Sequence, residues 1–277
     1  MLSGFKPQVT FMKHKKQHDS TVKFAVLFIV IVAALILISV IVKAVITVKN
    51  SSFDGEHRFN LGIIQKNEAS VVSFSPANGS ITILNLKGNL QSKSLSQFLE
   101  LPIDATLKTK NLVINKNNIA SDMSNVLFNY PEEDTSMTIV DAFRLYLFAR
   151  SVSSDSVYES DLQANDSLSI SSFVSSSFID SDMANQKTTI EVVNATSAFG
   201  LAGRLADFIN NMGGDVVMVT TSDTPQDNSE IMYSGDENYT IKRLSQILGF
   251  KPVRSSNLDI SDVKIIIGKD SLQNLKF

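Results

Sequence analysis

The dominant feature of the hydrophobic pattern is a continuous apolar run near the N-terminus. Every residue from Phe24 to Val42 is apolar except Ser39. A helix of this length, at about 1.5 Å of rise per residue, crosses a hydrocarbon layer of about 30 Å. The alternative, a buried helix in a large domain, would normally keep one polar face. We therefore predict a transmembrane helix over residues 24–46.

Lysines placed before the apolar run predict its orientation. The run is preceded by a single acid, Asp19, and by five lysines: Lys6, Lys13, Lys15, Lys16 and Lys23. Because an excess of lysine marks the cytoplasmic flank of a span, residues 1–23 are expected to be a cytoplasmic tail and the rest extracytoplasmic. A cleaved signal peptide is the alternative. Its apolar region is normally only about 7–15 residues long, however, and no A-x-A-like cleavage site follows Ile46.

After a polar stretch, short runs rich in β-branched and aromatic residues predict a first extracytoplasmic domain. Its predicted elements are strands at 59–64, 70–75, 80–86 and 105–109, a short helix at 95–99 and an amphipathic helix at 139–152. The Asn78-Gly79 pair between the second and third strands is typical of a hairpin turn. We expect the last helix to close a small α/β domain over residues 58–152.

Serine dominates residues 153–186, with acidic residues scattered between the serines. This composition is typical of a mostly extended linker, although apolar fragments at 168–174 and 178–180 remain able to dock as strands. A flexible chain of n residues spans about 5–6 Å × √n, so the following domain is expected to move by tens of ångströms relative to the first.

The most regular pattern lies in the C-terminal part, which we assign to a domain at residues 187–271. Its predicted elements are strands at 188–193, 215–221, 230–233 and 263–267 and helices at 198–212 and 237–248. Glycines at 213, 214 and 249 end the two helices, as glycine does just beyond a helix C-terminus. Two successive βαβ units predict a ferredoxin-like βαββαβ sandwich with both helices on one sheet face. The whole chain is therefore predicted to be α/β, behind an N-terminal transmembrane helix.

Composition excludes several functions. Removing the five lysines and one acid of the tail from totals of 25 basic and 28 acidic residues leaves 20 against 27, a net charge of −7 for residues 24–277. Such a balance argues against nucleic acid binding and against bulk attraction to a polyanionic wall polymer. Cysteine is absent, and the three histidines are His14, His18 and His57. Disulfides, Ser-His-Asp hydrolysis and histidine-ligated zinc are thereby excluded from the body of the chain, and no cofactor is expected.

Several sequence blocks in the C-terminal part occur in a recognisable order. They are Ile190–Thr196, Gly200–Ala202, Met212–Val216, Ile231–Tyr233 and Ile265–Asp270. Together they resemble the LytR C-terminal domain. The resemblance implies a domain found outside bacterial membranes, often behind a LytR-CpsA-Psr catalytic domain.

The domain at 58–152 resembles a degenerate LytR-CpsA-Psr domain. The resemblance rests on Val71–Pro76, Ile81–Leu84 and Phe98–Asp104. Active members transfer lipid-linked glycan polymers to the cell wall, using Arg and Asp residues around a pyrophosphate and a divalent metal. Where that family carries Arg-Asp, this chain has Lys87-Gly88-Asn89. Because such transfer needs cations where charge develops, we expect no phosphotransferase activity. The acidic residues Glu132, Glu133 and Asp134 are interpreted as solvated surface rather than as a metal site.

Candidate binding residues cluster in the strand-to-helix turn of the C-terminal domain. They are Asn194, Thr196, Ser197, Gly200 and Arg204. Loops at strand ends collect free backbone N–H groups and polar side chains, so a ligand of the domain is expected here rather than on the sheet face. The alternative is that these residues only cap and pack the helix.

The sequence therefore favours a non-catalytic, membrane-anchored cell-envelope protein whose distal module binds a cell-wall glycan or an envelope protein. One alternative is an active LytR-CpsA-Psr-type glycopolymer phosphotransferase. Another is an envelope-sensing regulator, although a tail formed by residues 1–23 is too short to hold a signalling domain.

Overall fold

A computed structural model describes residues 17–66, 68–88, 94–110, 112, 114–130, 134–256, 258, 260–273 and 277. Most of the predicted cytoplasmic tail lies outside these residues, as do Asn89, Glu132 and Glu133. The chain forms two compact units, Met1–Asn50 and Ser51–Phe277.

The first unit contains helix α1, which runs over Gln17–Lys49 for 33 residues. Its segment Val22–Lys49 is long and apolar enough to cross a membrane, and its most apolar 18 residues have a mean hydropathy of 3.5. The predicted span at 24–46 lies inside this helix. Within the described residues, no part of the most apolar stretch of α1 is buried against other residues of the protein. Apolar side chains of this kind are suited to the hydrocarbon interior of a membrane.

The second unit begins with a six-stranded sheet. The strands are β1 (Phe59–Ile64), β2 (Glu68–Ser75), β3 (Ser80–Lys87), β4 (Ala105–Lys108), β5 (Asp134–Thr135) and β6 (Val157–Gln163). Their order is β5-β4-β1-β2-β3-β6, with β1, β2 and β3 antiparallel in turn. Strand β4 is parallel to β1, and β6 is parallel to β3. Gly79 closes the β2–β3 hairpin with a φ of 57°, a left-handed conformation that suits glycine and the predicted turn.

Helices cover both faces of this sheet. On one face lie α2 (Leu95–Leu99) and α5 (Ser167–Ser177), and on the other lie α3 (Ile119–Phe128) and α4 (Ile139–Ser151). Successive strand residues point to opposite faces. Ile81 and Ile83 therefore join the core under α3 and α4, while Leu84 and Leu86 join the core under α2 and α5. Helix α3 and strand β5 were not predicted from the sequence.

The serine-rich segment is folded, which corrects the prediction of an extended linker at 153–186. Its first part is β6, which pairs with β3, and its second part is α5 rather than a strand. Ile170 and Val174, one helical turn apart, are buried with Phe178 in the second core, whereas most of the serines face solvent. Residues four apart in a helix share one face, and Phe173 packs partly against the same core. The helix at 139–152 therefore does not close the domain.

The C-terminal part forms a second sheet and confirms the predicted α/β class. It comprises α6 (Ser181–Gln186), β7 (Thr189–Asn194), α7 (Leu201–Asn211), β8 (Asp215–Thr221), β9 (Glu230–Tyr233), α8 (Tyr239–Leu248), β10 (Lys251–Arg254) and β11 (Val263–Ile267). The strand order is β10-β9-β11-β7-β8. Helices α7 and α8 share one core with Ile190, Val192 and Ile265, so both pack on one sheet face as predicted.

The strand order corrects the ferredoxin-like prediction. In that fold another strand separates the first two strands, whereas here β8 pairs directly with β7 and runs parallel to it. Gly214 explains why the start of β8 can pack so closely against α7 and β7. A Cβ at this position would lie 2.4 Å from Cγ2 of Ile209 in α7 and 3.3 Å from Cδ1 of Ile190 in β7. The absence of a side chain therefore lets β8 start directly beneath α7 and beside β7.

Candidate functional site

The turn that joins β7 to α7 contains the five candidate binding residues. Asn194 is 5% exposed and Thr196 is 7% exposed. The Asn194 side chain accepts hydrogen bonds from Thr196 N–H at 3.0 Å and Oγ1 at 2.7 Å, and it donates to the Ala198 carbonyl at 2.7 Å. Thr196 Oγ1 accepts from the Ala198 N–H at 3.1 Å. The polar groups of these two side chains are therefore used to close the turn itself.

The remaining candidates have different surroundings. Gly200 caps α7 with a φ of 78°, and a Cβ there would meet nothing within 4 Å. Its conformation rather than crowding therefore favours glycine. Arg204 Nη2 donates to the main-chain oxygen of Phe277 at 2.6 Å, which ties α7 to the end of the chain. Ser197 is exposed and can reach a ligand.

Phe199 is a residue of this turn that the sequence analysis did not select. Its side chain is fully exposed, at 101%. A single aromatic residue inside a polar turn adds nothing to a periodic pattern, so only its solvent exposure singles it out. The exposed tip of the turn therefore consists of Ser197, Phe199 and Gly200.

The C-terminal end of β3 is where the sequence resemblance placed Lys87-Gly88-Asn89 in the stead of Arg-Asp. Here Lys87 Nζ pairs with Asp161 Oδ2 of β6 at 3.2 Å. Asn85 Nδ2 donates to Asp161 Oδ1 at 2.9 Å and to Glu159 Oε1 at 3.0 Å. Hydrogen bonds from Asn85 and then Lys87 lower the pKa of Asp161, so this carboxylate is ionised and paired. The adjacent cavity measures only about 150 Å³.

The acidic loop is described only at Asp134. Its carboxylate pairs with Lys108 Nζ at 2.9 Å, and the two side chains are 73% and 61% exposed. Among the described residues, no three His, Cys, Asp or Glu side chains are placed to hold a metal ion together. The contact of Asp134 with Lys108 is that of a solvated surface pair.

A buried ion pair joins the two sheets of the second unit. Arg243 of α8 approaches Asp104 with Nη1 at 2.8 Å from Oδ1 and Nη2 at 3.0 Å from Oδ2. The side chains of Arg243 and Asp104 are 8% and 7% exposed. The Asn60 N–H also donates to Asp104 Oδ2 at 2.8 Å. Burial alone would lower the pKa of Arg243, but the Asp104 carboxylate outweighs it and raises this pKa.

A second contact between the sheets surrounds Tyr239. Its hydroxyl donates to Asp180 Oδ2 at 2.6 Å, and its ring stacks on His57 with centroids 4.2 Å apart. His57 Nδ1 in turn lies 2.5 Å from Asp54 Oδ2. Burial, together with Asp180, raises the pKa of the Tyr239 phenol, so it remains a neutral donor. With the Asp104–Arg243 pair, these contacts dock the C-terminal module and correct the expectation that it moves freely.

Comparison with known proteins finds a family match for the C-terminal module. Residues 187–270 match the family described as LytR cell envelope-related transcriptional attenuator. No curated protein matches the chain.

Three solved structures are similar to part of the chain. The transcriptional regulator yvhJ from Bacillus subtilis is 12% identical, with a TM-score of 0.32, and the match covers 39% of this chain and 83% of that one. TagV from Bacillus subtilis is 8% identical, with a TM-score of 0.30, and the match covers 40% of this chain and 85% of TagV. Lin1025 from Listeria innocua is 8% identical, with a TM-score of 0.29, and the match covers 39% of this chain and 83% of Lin1025. The family match supports the resemblance found in the sequence over residues 187–270.

Proposed function

We propose that this chain is a non-catalytic, single-pass cell-envelope protein whose C-terminal module binds a wall glycan or an envelope protein outside the membrane. The observation that carries the proposal is a LytR C-terminal domain at residues 187–270 in a chain that begins with an apolar helix able to span a membrane. The contacts of Asp104 with Arg243 and of Asp180 with Tyr239 make the second unit one docked body. This body would hold the exposed turn in a fixed position for binding.

The positions of the arginines support a non-catalytic role. Between residues 58 and 152 the chain has Arg58, Arg144 and Arg150. Arg144 donates to the Phe53 carbonyl at 2.7 Å, and Arg150 lies 5.8 Å from the centre of the Tyr146 ring. Arg58 precedes β1, at the opposite end of the sheet from the position that matches the transferases. Pyrophosphate transfer needs several cations around the developing charge, and these arginines do not supply them there.

The alternative functions would give different results. An active phosphotransferase would move glycan from a polyprenyl-pyrophosphate donor in the presence of magnesium, and Lys87→Ala would abolish that turnover. We expect no turnover. An envelope-sensing regulator would need a cytoplasmic partner that responds to residues 1–23, and deletion of most of the tail would abolish its signal.

We expect residues 1–23 to face the cytoplasm, because five lysines precede the span. Protease added to intact cells with an accessible membrane should remove the chain beyond about Lys49 and leave an epitope at residue 1 protected. Digestion of that epitope from outside, in cells whose cytoplasmic marker stays intact, would show the opposite orientation.

We expect Phe199→Ser to weaken retention of wall fragments or envelope proteins by about thirtyfold or more. Loss of an aromatic anchor from the centre of an interface costs about 2 kcal/mol or more. Because Phe199 is 101% exposed, the substitution leaves the core untouched. The measurement is a titrated pull-down with the full chain in detergent.

A matched control is available at Phe128, which is 80% exposed at the end of α3. The variant Phe128→Ser removes an equivalent ring far from the turn in sequence and should retain full binding. Equal binding by the two variants would place the interaction outside the turn. The sheet face that carries the Glu191–Lys264 pair, with its atoms 3.3 Å apart, would be the next surface to test.

A further inference from the structure

A second candidate site lies in the first α/β module, at the sheet edge near the starts of β3 and β6. A cavity of about 730 Å³ opens there beside the C-terminal end of α5. Small-molecule sites commonly have volumes of about 300–1,000 Å³. The cavity lies at the other end of β3 from Lys87, so it is distinct from the position that matches the transferase family.

Arg58 is the residue that makes this cavity unusual. It lines the cavity, yet its side chain is only 8% exposed. Nη1 donates to Ser73 Oγ at 2.7 Å and to the Ser177 carbonyl at 3.3 Å, and both acceptors are neutral. Among the described residues, Nε has no hydrogen-bond partner. A buried guanidinium with only neutral direct partners is incompletely compensated, because charge removed from water needs a counter-charge or a full set of acceptors.

Asp180 is a buried carboxylate whose charge acts on Arg58, but in the described part of the chain the two side chains form no ion pair. Burial lowers the pKa of Arg58 to about 10, and the charge of Asp180 acts in the opposite direction. The guanidinium therefore remains positive at neutral pH. Asp180 already accepts from the Tyr239 hydroxyl at 2.6 Å and from the Asp182 N–H at 3.0 Å. An anion that entered the cavity would give Arg58 the direct charged acceptor that the protein does not.

The other charged residues of the lining leave its net charge positive. Glu159 accepts from the Lys116 N–H and from Asn85 Nδ2, each at 3.0 Å. Lys116 itself is exposed and adds a second cation to the lining. Arg58 and Lys116 thus outnumber Glu159, although the whole chain has a formal net charge of −3. The lining therefore carries two cations and one anion, and although the Asp180 carboxylate outside the lining partly offsets the charge of Arg58, the two cations favour an anionic ligand.

The remaining lining indicates what else the ligand carries. Hydroxyl and amide side chains line the wall: Asn78, Ser80, Thr82, Ser156, Ser176 and Ser181. Such groups both donate and accept hydrogen bonds, which suits a ligand rich in hydroxyl groups. Tyr158, 56% exposed, adds an amphipathic ring to the same lining. An exposed aromatic ring beside hydroxyl donors is suited to the apolar face and polar edge of a sugar.

We propose that this cavity binds an anionic sugar, with the anionic group on Arg58 and the sugar ring against the hydroxyl-lined wall and Tyr158. The site is separate from the turn at Ser197–Gly200. It therefore stands independently of the function proposed for the C-terminal module.

The test uses the full chain in detergent and equilibrium dialysis with three probes: glucose 1-phosphate, inorganic phosphate and glucose. Glucose 1-phosphate is expected to bind at least about tenfold more tightly than either of the other two, because it engages both Arg58 and the hydroxyl wall. Arg58→Gln should weaken its binding at least about tenfold, since the charge-assisted contact is lost. Arg254→Gln, which removes an arginine 68% exposed on β10, is the matched control and should bind as the parent does.

A second variant keeps the test decisive if Arg58→Gln does not fold. Tyr158 is exposed, so Tyr158→Ser should fold, weaken glucose 1-phosphate at least about threefold and leave inorganic phosphate unchanged. Failure of glucose 1-phosphate to bind, or equal binding of inorganic phosphate, would overturn the proposal. Unchanged sugar-phosphate binding in Tyr158→Ser would overturn it as well.

Discussion

Replacing Arg243 with methionine is expected to destabilise the second unit by about 3–5 kcal/mol. The substitution keeps the apolar stem but leaves Asp104, whose side chain is 7% exposed, without its bidentate partner. The Asn60 N–H, at 2.8 Å, would remain as a donor but carries no full charge. A buried charge that loses its counter-ion keeps the free-energy cost of its removal from water, and no ion pair offsets that cost. The measurement is urea unfolding of the full chain in detergent, followed by intrinsic tyrosine fluorescence.

A matched control separates this pair from surface pairs. Lys108→Met breaks an ion pair of similar length, 2.9 Å, whose side chains are 61% and 73% exposed. Its cost should be at most about 1 kcal/mol, because water screens and replaces such a contact. The double variant Asp104→Leu with Arg243→Met should recover much of the lost stability, because neither charge then remains buried. An Arg243→Met cost no larger than that of Lys108→Met would mean that the pair does not hold the two sheets together.

Gly268→Ala is expected to destabilise the C-terminal module by about 3 kcal/mol. A Cβ at this position would lie 2.4 Å from the Asn228 carbonyl carbon and 2.8 Å from the Ser229 nitrogen. Both obstacles are backbone atoms, which cannot rotate away as a side chain does. The backbone movement needed to make room for the Cβ would also disturb the hydrogen bond from the Gly268 N–H to Ser229 Oγ, which is 2.8 Å long. Thermal unfolding of the full chain measures the effect.

Gly203 provides the opposite case within the same module. It lies inside α7, and a Cβ there would meet nothing within 4 Å. Gly203→Ala should therefore stabilise the helix by about 0.5–1 kcal/mol, because alanine restricts the unfolded chain and favours the helix. A loss of stability in Gly203→Ala, or none in Gly268→Ala, would contradict these backbone contacts.

The docking of the two sheets fixes the two proposed sites relative to each other. A flexible linker would have let the C-terminal module move independently of the first module. In the folded unit, α6 and Asp180 lie between the modules, and the Asp180 N–H donates to the Met212 carbonyl at 2.8 Å. The Ser197–Gly200 turn and the Arg58 cavity are therefore carried by one body. Binding at either site would place the other at a fixed separation.

Sequence reasoning located the candidate turn but not which of its residues are exposed. Asn194 and Thr196 have side chains that can bind a ligand. The same side chains can also form hydrogen bonds within the turn itself. Which role applies depends on whether the side chains point into the turn, and the structure shows that they do. Phe199 and Arg58 were missed for a related reason. A lone aromatic residue and a lone arginine have no periodic pattern, and only their exposure and partners in the folded chain single them out.

The sequence by itself determined the apolar helix, the main elements of the C-terminal module and the LytR resemblance. These features depend on the spacing of neighbouring residues and on glycines at helix ends, which act locally. The tertiary structure alone decided that the serine-rich segment folds as β6 and α5, that β8 lies beside β7, and that Asp104 meets Arg243. Each of these depends on a partner distant in the chain, and the free energy of burying Val174 or pairing Asp104 exists only once that partner is in place.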